Sequence, residues 1–415
     1  MGYYPTDDPA KADIIMLNTC SVRAKPEQKV KSKLGELKRL KEINPNLIIG
    51  VCGCMAQREG NKIRQQAPYV DMVVGTAQIE RIPEMICDVI RYRQPLSALE
   101  LPRAIKDEAH VPIRTAHTSG QGLKSFVPIT YGCDNFCAYC IVPYVRGKER
   151  SRPIDEIVNE VHGLASSGVK EITLLGQNVN SYMSNESEAD FPHLLEVLNE
   201  IHGIERIRFT TSHPKDMSDR LIQAMAELPK VCEHIHLPMQ AGDSDTLKRM
   251  KRGYSVEHYL ERVESLRKVV PDVAITTDIL IGFPGESEEE FQNTLSTIEQ
   301  VRFDAAFMFA FNPINRTVAA TMTDQLSAKI KNERLRQVIE LQNRITIDKN
   351  KEEVGKMFEV MVEGTSPKNS KRLTGLTRQN KTVNFAGSPD LIGQFVQVRA
   401  KEGHLYGFVG ELLTG

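Results

Sequence analysis

The sequence predicts an α/β chain in three parts: an N-terminal doubly wound parallel sheet, a central partial (β/α) barrel, and a small all-β barrel at the C-terminus. Three observations carry this. Residues 1–92 alternate between apolar strand-like runs and amphipathic helical ones, which implies a parallel sheet with helices on its faces. At least six further βα units follow in the next stretch, enough for a barrel or part of one. The remaining residues turn to Val, Thr, Phe and Gly in short alternating runs, the pattern of a small β-module. A length of 415 residues suits two to three domains.

Taken in order, Asp13–Leu17 reads as a buried strand. Pro26–Ile43 reads as a helix with Val30, Leu34, Leu37 and Leu40 on one face. Leu47–Val51 and Val70–Val74 are the next strands, with helical segments at Asn61–Gln66 and Ile82–Tyr92. Residues 93–125 are rich in Pro, Gly, Ser and charge and read as a linker. Barrel strands are expected at Phe126–Thr130, Glu171–Leu175, Arg206–Thr210, His234–Leu237, Val273–Ile281 and Ala305–Phe311. The clearest helices between them are Ile154–Ser166 and Val256–Lys268. A charged helix over Ser327–Lys351 closes the central domain, 126–352. In the last domain, 353–415, strands are expected at Met357–Val362, Thr382–Phe385, Gln394–Arg399 and Gly407–Leu412.

Composition excludes several classes. With 40% hydrophobic and 26% charged residues the chain is not disordered, and a formal net charge of −1 gives no global sign of a nucleic-acid partner. No apolar stretch is long enough for a membrane span and the N-terminus has no signal-peptide pattern, so a cytoplasmic location is expected. Thiols there stay reduced, and clustered cysteines bind metal or react more often than they cross-link.

The eight cysteines are at 20, 52, 54, 87, 133, 137, 140 and 232. Cys133, Cys137 and Cys140 form a Cys-x3-Cys-x2-Cys loop directly after an expected strand. Thiolates select zinc, copper(I) or iron–sulfur clusters. Structural zinc takes four ligands, and no second pair lies nearby. Three thiolates on a [4Fe–4S] cluster leave one iron open to a substrate or cofactor. Cys20, Cys52 and Cys54 follow expected strands of the first sheet, where α/β folds place ligands. Cys87 and Cys232 fit no motif, and Cys87 on an amphipathic helix reads as a buried thiol.

The loop resembles the signature of the radical S-adenosylmethionine (SAM) enzymes. The resemblance extends over nearly the whole chain to one branch, the radical-SAM methylthiotransferases. It is carried by Leu17-Asn-Thr-Cys-Ser-Val-Arg23, Gly53-Cys-Met-Ala-Gln57, Tyr131–Arg152, Leu174–Asn180, His236-Leu-Pro-Met-Gln240 and Thr277–Glu286. The C-terminal module is similar to the RNA-binding TRAM domain. The resemblance implies SAM and two [4Fe–4S] clusters as cofactors. It implies methylthiolation of C2 of an isopentenylated adenosine beside the tRNA anticodon. Partners would be the tRNA anticodon stem-loop, an electron donor such as flavodoxin or ferredoxin, and a sulfur donor, with no membrane. Cys133, Cys137 and Cys140 match the radical-SAM ligands; Cys20 and Cys54 match ligands of the second cluster, with Cys52 a competitor for Cys54. Gly176, Gln177, Asn178, Gly282 and Glu286 match segments that face SAM. No catalytic side chain is assigned, and His213 and His236 are given no role.

Two features depart from the family. Its N-terminal domain carries a third cysteine, in a Gly-Cys-Gln-x-Asn segment that this sequence does not show. The N-terminal sheet is therefore expected to be incomplete, the loop cluster well held and the second cluster poorly held. Phe311-Asn-Pro-Ile-Asn-Arg-Thr317 also differs from the family's wording near a strand end. Locally, charge is not neutral. Lys368, Lys371, Arg372, Arg378 and Lys381 lie on the C-terminal module with no acid between them, a stripe suited to phosphate contacts. Arg146, Lys148, Arg150 and Arg152 form a second basic run, suited to the anticodon stem or the SAM carboxylate. Two alternatives remain open: methylthiolation of threonylcarbamoyl-adenosine or of a ribosomal-protein aspartate, and a noncatalytic RNA-binding iron–sulfur protein.

Overall fold

Runs of Ile, Val and Met build the first sheet from Ile14–Thr19 (β1), Ile48–Gly53 (β2), Met72–Val74 (β3) and Leu96–Ala98 (β4). The computed structural model describes residues 2–21, 24–101, 122–184 and 189–413. The strands are parallel and lie in the order β1-β2-β3-β4. Period-two alternation sends side chains to both faces. On one face Ile49, Val51 and Val73 pack against Leu34 and Leu37 of helix Ala24–Ile43. On the other, Ile48, Cys52, Met72 and Val74 pack against Met85, Ile86 and Val89 of helix Ile82–Tyr92. β2 is buried along its whole length, the mark of a strand covered on both sides. Strand β4 corrects the linker reading of 93–125: Leu96–Ala98 pairs with β3 because its apolar ends fit the remaining edge. Residues 102–121 of that linker lie outside the described residues.

The chain divides into two units. One comprises residues 1–113, 131–150 and 312–320; the other comprises 114–130, 151–311 and 321–415. Lys124–Pro128 (β5) belongs to the second unit. Thr130–Tyr131 (β6) and Arg150–Ser151 (β7) pair at the base of the cysteine loop. By its contacts that loop belongs to the first unit. The physical reason is local packing: Cys54, Ile141 and Val145 form a buried apolar cluster with Ile314 against them. Tyr131 Oη also donates to Thr76 O at 3.0 Å, and Thr76 Oγ1 donates to Val145 O.

In the second unit, β5, Glu171–Leu175 (β8) and Arg206–Thr210 (β9) form one parallel sheet. His234–His236 (β10), Ala274–Ile281 (β11) and Ala305–Ala310 (β12) form another. β9 and β10 adjoin through Cys232 N–H to Ile207 O at 3.0 Å. Helices such as Ile154–Ser166 and Glu288–Val301 cover one face, over a core that includes Ile172, Leu174, Ile207, Phe209, Ile275 and Ile279. Ser287 and Glu290 make a reciprocal capping box that fixes the start of Glu288–Val301. Helix Ala328–Glu352 leads to Met357–Ser366 (β13), Asn369–Thr377 (β14), Thr382–Ala386 (β15), Phe395–His404 (β16) and Gly407–Leu412 (β17). These close into a barrel in the order β13-β14-β15-β17-β16. β14 was not expected, because its basic and polar first half hides the alternation of Leu373, Gly375 and Thr377.

The small barrel is mounted on the amino ends of the parallel strands. Arg206, fully buried, donates to Leu376 O and Glu359 Oε1 at 2.8 Å each. Arg208 Nη2 donates to Thr377 O at 2.7 Å. Their carboxylate partner is Glu171 on the neighbouring strand β8, 3.0 Å from Arg208. The carboxyl ends of the strands are thus turned away from this mount. Among the described residues, no helix is long and apolar enough to cross a membrane.

Candidate functional site

In the first unit, the cysteine loop leaves β6 through Gly132, at φ 84°. A Cβ there would sit 2.1 Å from Lys148 O, so only glycine lets the two ends of the loop close. Cys133 and Cys137 are each 8% exposed, and Cys140 is half-buried. Cys140 N–H donates to Cys137 O at 2.9 Å, which tightens the second half of the loop. Burial pushes the Cys133 thiol up. The donor set is three thiols, and the loop's Asp134 instead accepts from Glu149 N–H at 3.2 Å, which fits an iron–sulfur cluster. A cluster takes each thiolate on a different iron and lowers its pKa by coordination. Among the described residues, no three His, Cys, Asp or Glu side chains are grouped as a single-ion site.

Cys20 follows β1 and is exposed. Cys54 opens helix Cys54–Glu59 and is buried. The structure separates it from its competitor. Cys52 lies in the apolar core under helix Ile82–Tyr92, and burial raises its thiol. Cys54 lies on the side of the cysteine loop and is hydrogen-bonded by Arg146. Burial alone would lower the Arg146 guanidinium, but Cys54, Tyr131 and Cys20 raise it. Arg146 also stacks 5.4 Å from the Tyr131 ring centroid, and Arg150 lies 5.5 Å from it. The basic run thus supplies a cation to the thiol pair. Arg152, from the same run, is buried instead against Glu160 at 2.7 Å and Pro128 O at 2.8 Å. Arg23 of the first motif lies outside the described residues.

In the second unit, Gly176, Gln177 and Asn178 follow β8. A Cβ on Gly176 would meet Thr130 Oγ1 at 2.1 Å, so the backbone approaches closely there. Asn178 is buried and donates to Asp216 Oδ2 at 2.7 Å, holding the loop after β9. Glu286 holds the turn after β11. Both its oxygens accept from Gly282 N–H at 3.1 Å, and Arg334 Nη1 donates to it at 2.7 Å. Burial raises its carboxyl against the pull of Arg334. Gly282 itself has φ 74° and faces Lys331.

Sequence reasoning missed a different signal here. Thr130 Oγ1, Asn178 Oδ1, Ser212 Oγ and His213 Nε2 are buried with no hydrogen-bond partner among the described residues. All four follow carboxyl ends of strands. Burial, with Arg252 and Lys215 nearby, depresses the His213 imidazole to about 2, so it stays neutral. Thr211 between β9 and this group has φ 70°, an outlier for a β-branched residue. Orphaned polar atoms and local strain together fit a polar cofactor such as SAM at this end.

The basic stripe splits. Lys368 and Lys371 are exposed around the β13–β14 turn, and Arg372 is half-buried on β14. Arg378 and Lys381 are engaged in ion pairs within the second unit. Arg378 Nη2 lies 2.7 Å from Glu233, and Lys381, 8% exposed, lies 3.1 Å from Asp304. The carboxylates that claim them lie far away in sequence and only the fold brings them in.

Comparison with known proteins agrees with this geometry. Residues 127–298 match the Radical SAM superfamily, 351–412 match the TRAM domain, and 1–75 match a family described as "Uncharacterized protein family UPF0004". The fold and site therefore define a radical-SAM enzyme of the tRNA methylthiotransferase class, with SAM and iron–sulfur chemistry. The chain is 47% identical over 416 residues to tRNA-2-methylthio-N(6)-dimethylallyladenosine synthase of Thermoanaerobacter sp. (strain X514), spanning 100% of this chain and 87% of that protein. It is 46% identical over 419 residues to the protein of the same name from Moorella thermoacetica, spanning 100% and 93%. It belongs to the tRNA-2-methylthio-N(6)-dimethylallyladenosine synthase family. Among solved structures, the cobalamin-dependent SAM radical enzyme OxsB shares the fold at a TM-score of 0.53 and 14% identity, over 81% of this chain and 48% of that one. The radical SAM methyltransferase TsrM from Kitasatospora setae does so at 0.52 and 13%, over 74% and 66%.

Proposed function

We propose that the chain methylthiolates C2 of N6-isopentenyladenosine beside the anticodon of tRNA, using SAM and two [4Fe–4S] clusters. The observation that carries the reading is the gathering of Cys20, Cys54 and the Cys133–Cys140 loop in one unit, with Arg146 bonded to Cys54. When bound, the clusters and SAM supply a carbon radical able to take the non-acidic C2 hydrogen, and the sulfur to replace it. Every other part falls to side chains of this chain. Cys133, Cys137 and Cys140 hold one cluster. Cys20 and Cys54 hold the second, and Arg146 offsets their negative charge.

The unpartnered groups of Thr130, Asn178, Ser212 and His213 receive the polar atoms of SAM, and Gly176 keeps room for them. Gln177 after β8 and Gly282 after β11 contribute further contacts to SAM from their own strand ends. Lys368, Lys371 and Arg372 contact phosphates of the anticodon stem-loop. An electron donor such as flavodoxin or ferredoxin and a sulfur donor complete the partners. The test is mass spectrometry of tRNA nucleosides from a strain lacking the gene. Loss of the 2-methylthio nucleoside with build-up of N6-isopentenyladenosine is expected. An unchanged nucleoside profile would overturn the reading.

A further inference from the structure

The face of the barrel sheets turned away from the helices carries a group that no role above uses. Along β10–β12, Ile235, Ile275, Ile279 and Met308 go to the helix-side core. By alternation His236, Thr276, Asp278 and Phe307 take the other face. Asp278 and Phe307 are direct neighbours across β11 and β12. His236 Nε2 lies 3.5 Å from Asp278 Oδ2, and its Nδ1 lies 3.0 Å from Thr276 Oγ1. The His236 and Phe307 rings meet edge to face, with centroids 5.9 Å apart. Phe307 is 57% exposed and the Asp278 side chain 30% exposed, on strands whose other face packs against the helix-side core. Two residues further along the same face, Leu280 and Phe309 are neighbours and partly buried.

An open phenyl ring beside one carboxylate and one imidazole has the parts of a nucleobase site. The ring offers a stacking surface. The carboxylate accepts only, and the imidazole can donate from Nε2 when Thr276 donates to Nδ1. His236 Nε2 and Asp278 Oδ2 face each other at 3.5 Å, the outer limit of a hydrogen bond, so a ligand can compete for both, and the carboxylate keeps further lone pairs to accept with.

We propose that this corner recognises an N6-alkylated adenine. The base stacks on Phe307, Asp278 accepts the single remaining N6–H, and His236 donates to a ring nitrogen. The alkyl group extends toward Leu280 and Phe309. A guanine would set its O6 acceptor against the Asp278 carboxylate and be repelled. His236, Asp278 and Phe307 are then specificity residues. The inference rests on the reading that a tRNA adenosine is the substrate.

The test uses the reconstituted full chain and two labelled anticodon stem-loops. One carries N6-isopentenyladenosine; the other carries its N6-methylated form, which has no N6–H. Fluorescence anisotropy should show the wild type preferring the first by roughly ten-fold or more, since the second leaves a charged acceptor unpaired. Asp278→Ala should abolish that preference, and Phe307→Leu should weaken both RNAs alike, by roughly ten-fold. Both variants should form 5′-deoxyadenosine from SAM without RNA at the wild-type rate. A wild type without preference, or a preference that survives Asp278→Ala, overturns the inference. So does loss of RNA-independent SAM cleavage, which would move the corner into the cofactor site. Failure of the wild type to methylthiolate the first RNA would instead count against the functional reading, and the binding comparison is read separately from it.

Discussion

Replacing Lys368 and Lys371 with Gln should weaken tRNA binding through salt dependence alone, whereas Lys381→Met should destabilise the fold and leave that dependence intact. Lys368 and Lys371 are exposed around the β13–β14 turn, away from the ion pairs that hold the small barrel in place. Each phosphate contact contributes about 0.7 to 0.9 to the slope of log K against log salt concentration, so losing both should lower the slope by about 1.4 to 1.8. Lys381 is 8% exposed, 3.1 Å from Asp304 and bonded to Glu353. Breaking a buried pair outright costs roughly 3 to 5 kcal/mol. Here Lys349 stays 2.7 Å from Asp304 and keeps it compensated, so about 2 kcal/mol is expected, seen as a fall of a few degrees in the melting temperature. The assay is anisotropy of an anticodon stem-loop RNA between about 50 and about 200 mM salt, beside a thermal melt of each variant. A slope change in Lys381→Met equal to that of a surface lysine would refute the reasoning. So would an unchanged slope in the double variant.

Cys133→Ala should abolish the loop cluster and 5′-deoxyadenosine formation together, read by the reduced cluster's electron paramagnetic resonance signal and by chromatography. Cys54→Ala should lower iron retention, and Cys52→Ala should leave it unchanged because Cys52 sits in the apolar core; equal iron loss in the two would contradict the separation drawn here. Tyr131→Phe removes the 3.0 Å bond to Thr76 O and should cost about 1 kcal/mol in a denaturant melt. His213 and His234 are held neutral in the fold, at about 2 and about 3, chiefly by burial. Their unfolded value is about 6.5, so below that pH the unfolded chain binds the extra protons. Stability should be full above about pH 6.5 and fall as pH drops toward the folded values. His213→Asn should flatten that fall in urea titrations, and an unaltered slope would count against the assignment.

Most strands were legible because a parallel sheet buried on both faces leaves unbroken apolar runs, as in Ile48–Gly53. Single-sided strands showed through alternation, as in Ala274–Ile281. β4 and β14 were not legible, for opposite reasons. Leu96–Ala98 is too short to show a period, and only the free edge of β3 makes it a strand. Asn369–Thr377 carries its polar residues where the hairpin leaves the barrel, so the alternation starts late. Domain membership was hidden more deeply. The cysteine loop follows a barrel strand in sequence, yet Ile141 and Val145 bury against Cys54.

The same distinction governs the site. Motif residues that act through the backbone or through thiols can be read from spacing, because the loop carries its own geometry. Cys133, Cys137 and Cys140 are three such residues, and Gly132 closes the loop that holds them. Charged residues cannot be read this way, since their role depends on which opposite charge the fold delivers. Arg378 and Lys381 sit in the same basic stripe as Lys368 and Lys371. The first pair meets Glu233 and Asp304 from amino ends of barrel strands, and the second pair meets water. Arg146 and Arg152 divide likewise: one reaches Cys54, the other Glu160. A cation's function in this chain is therefore decided by its distance from a buried carboxylate or thiol. Those distances belong to the tertiary structure alone. The same reasoning identifies Asp278, an acid inside the Thr277–Glu286 motif to which the motif alone gave no role, as the group to which an exposed aromatic ring gives meaning.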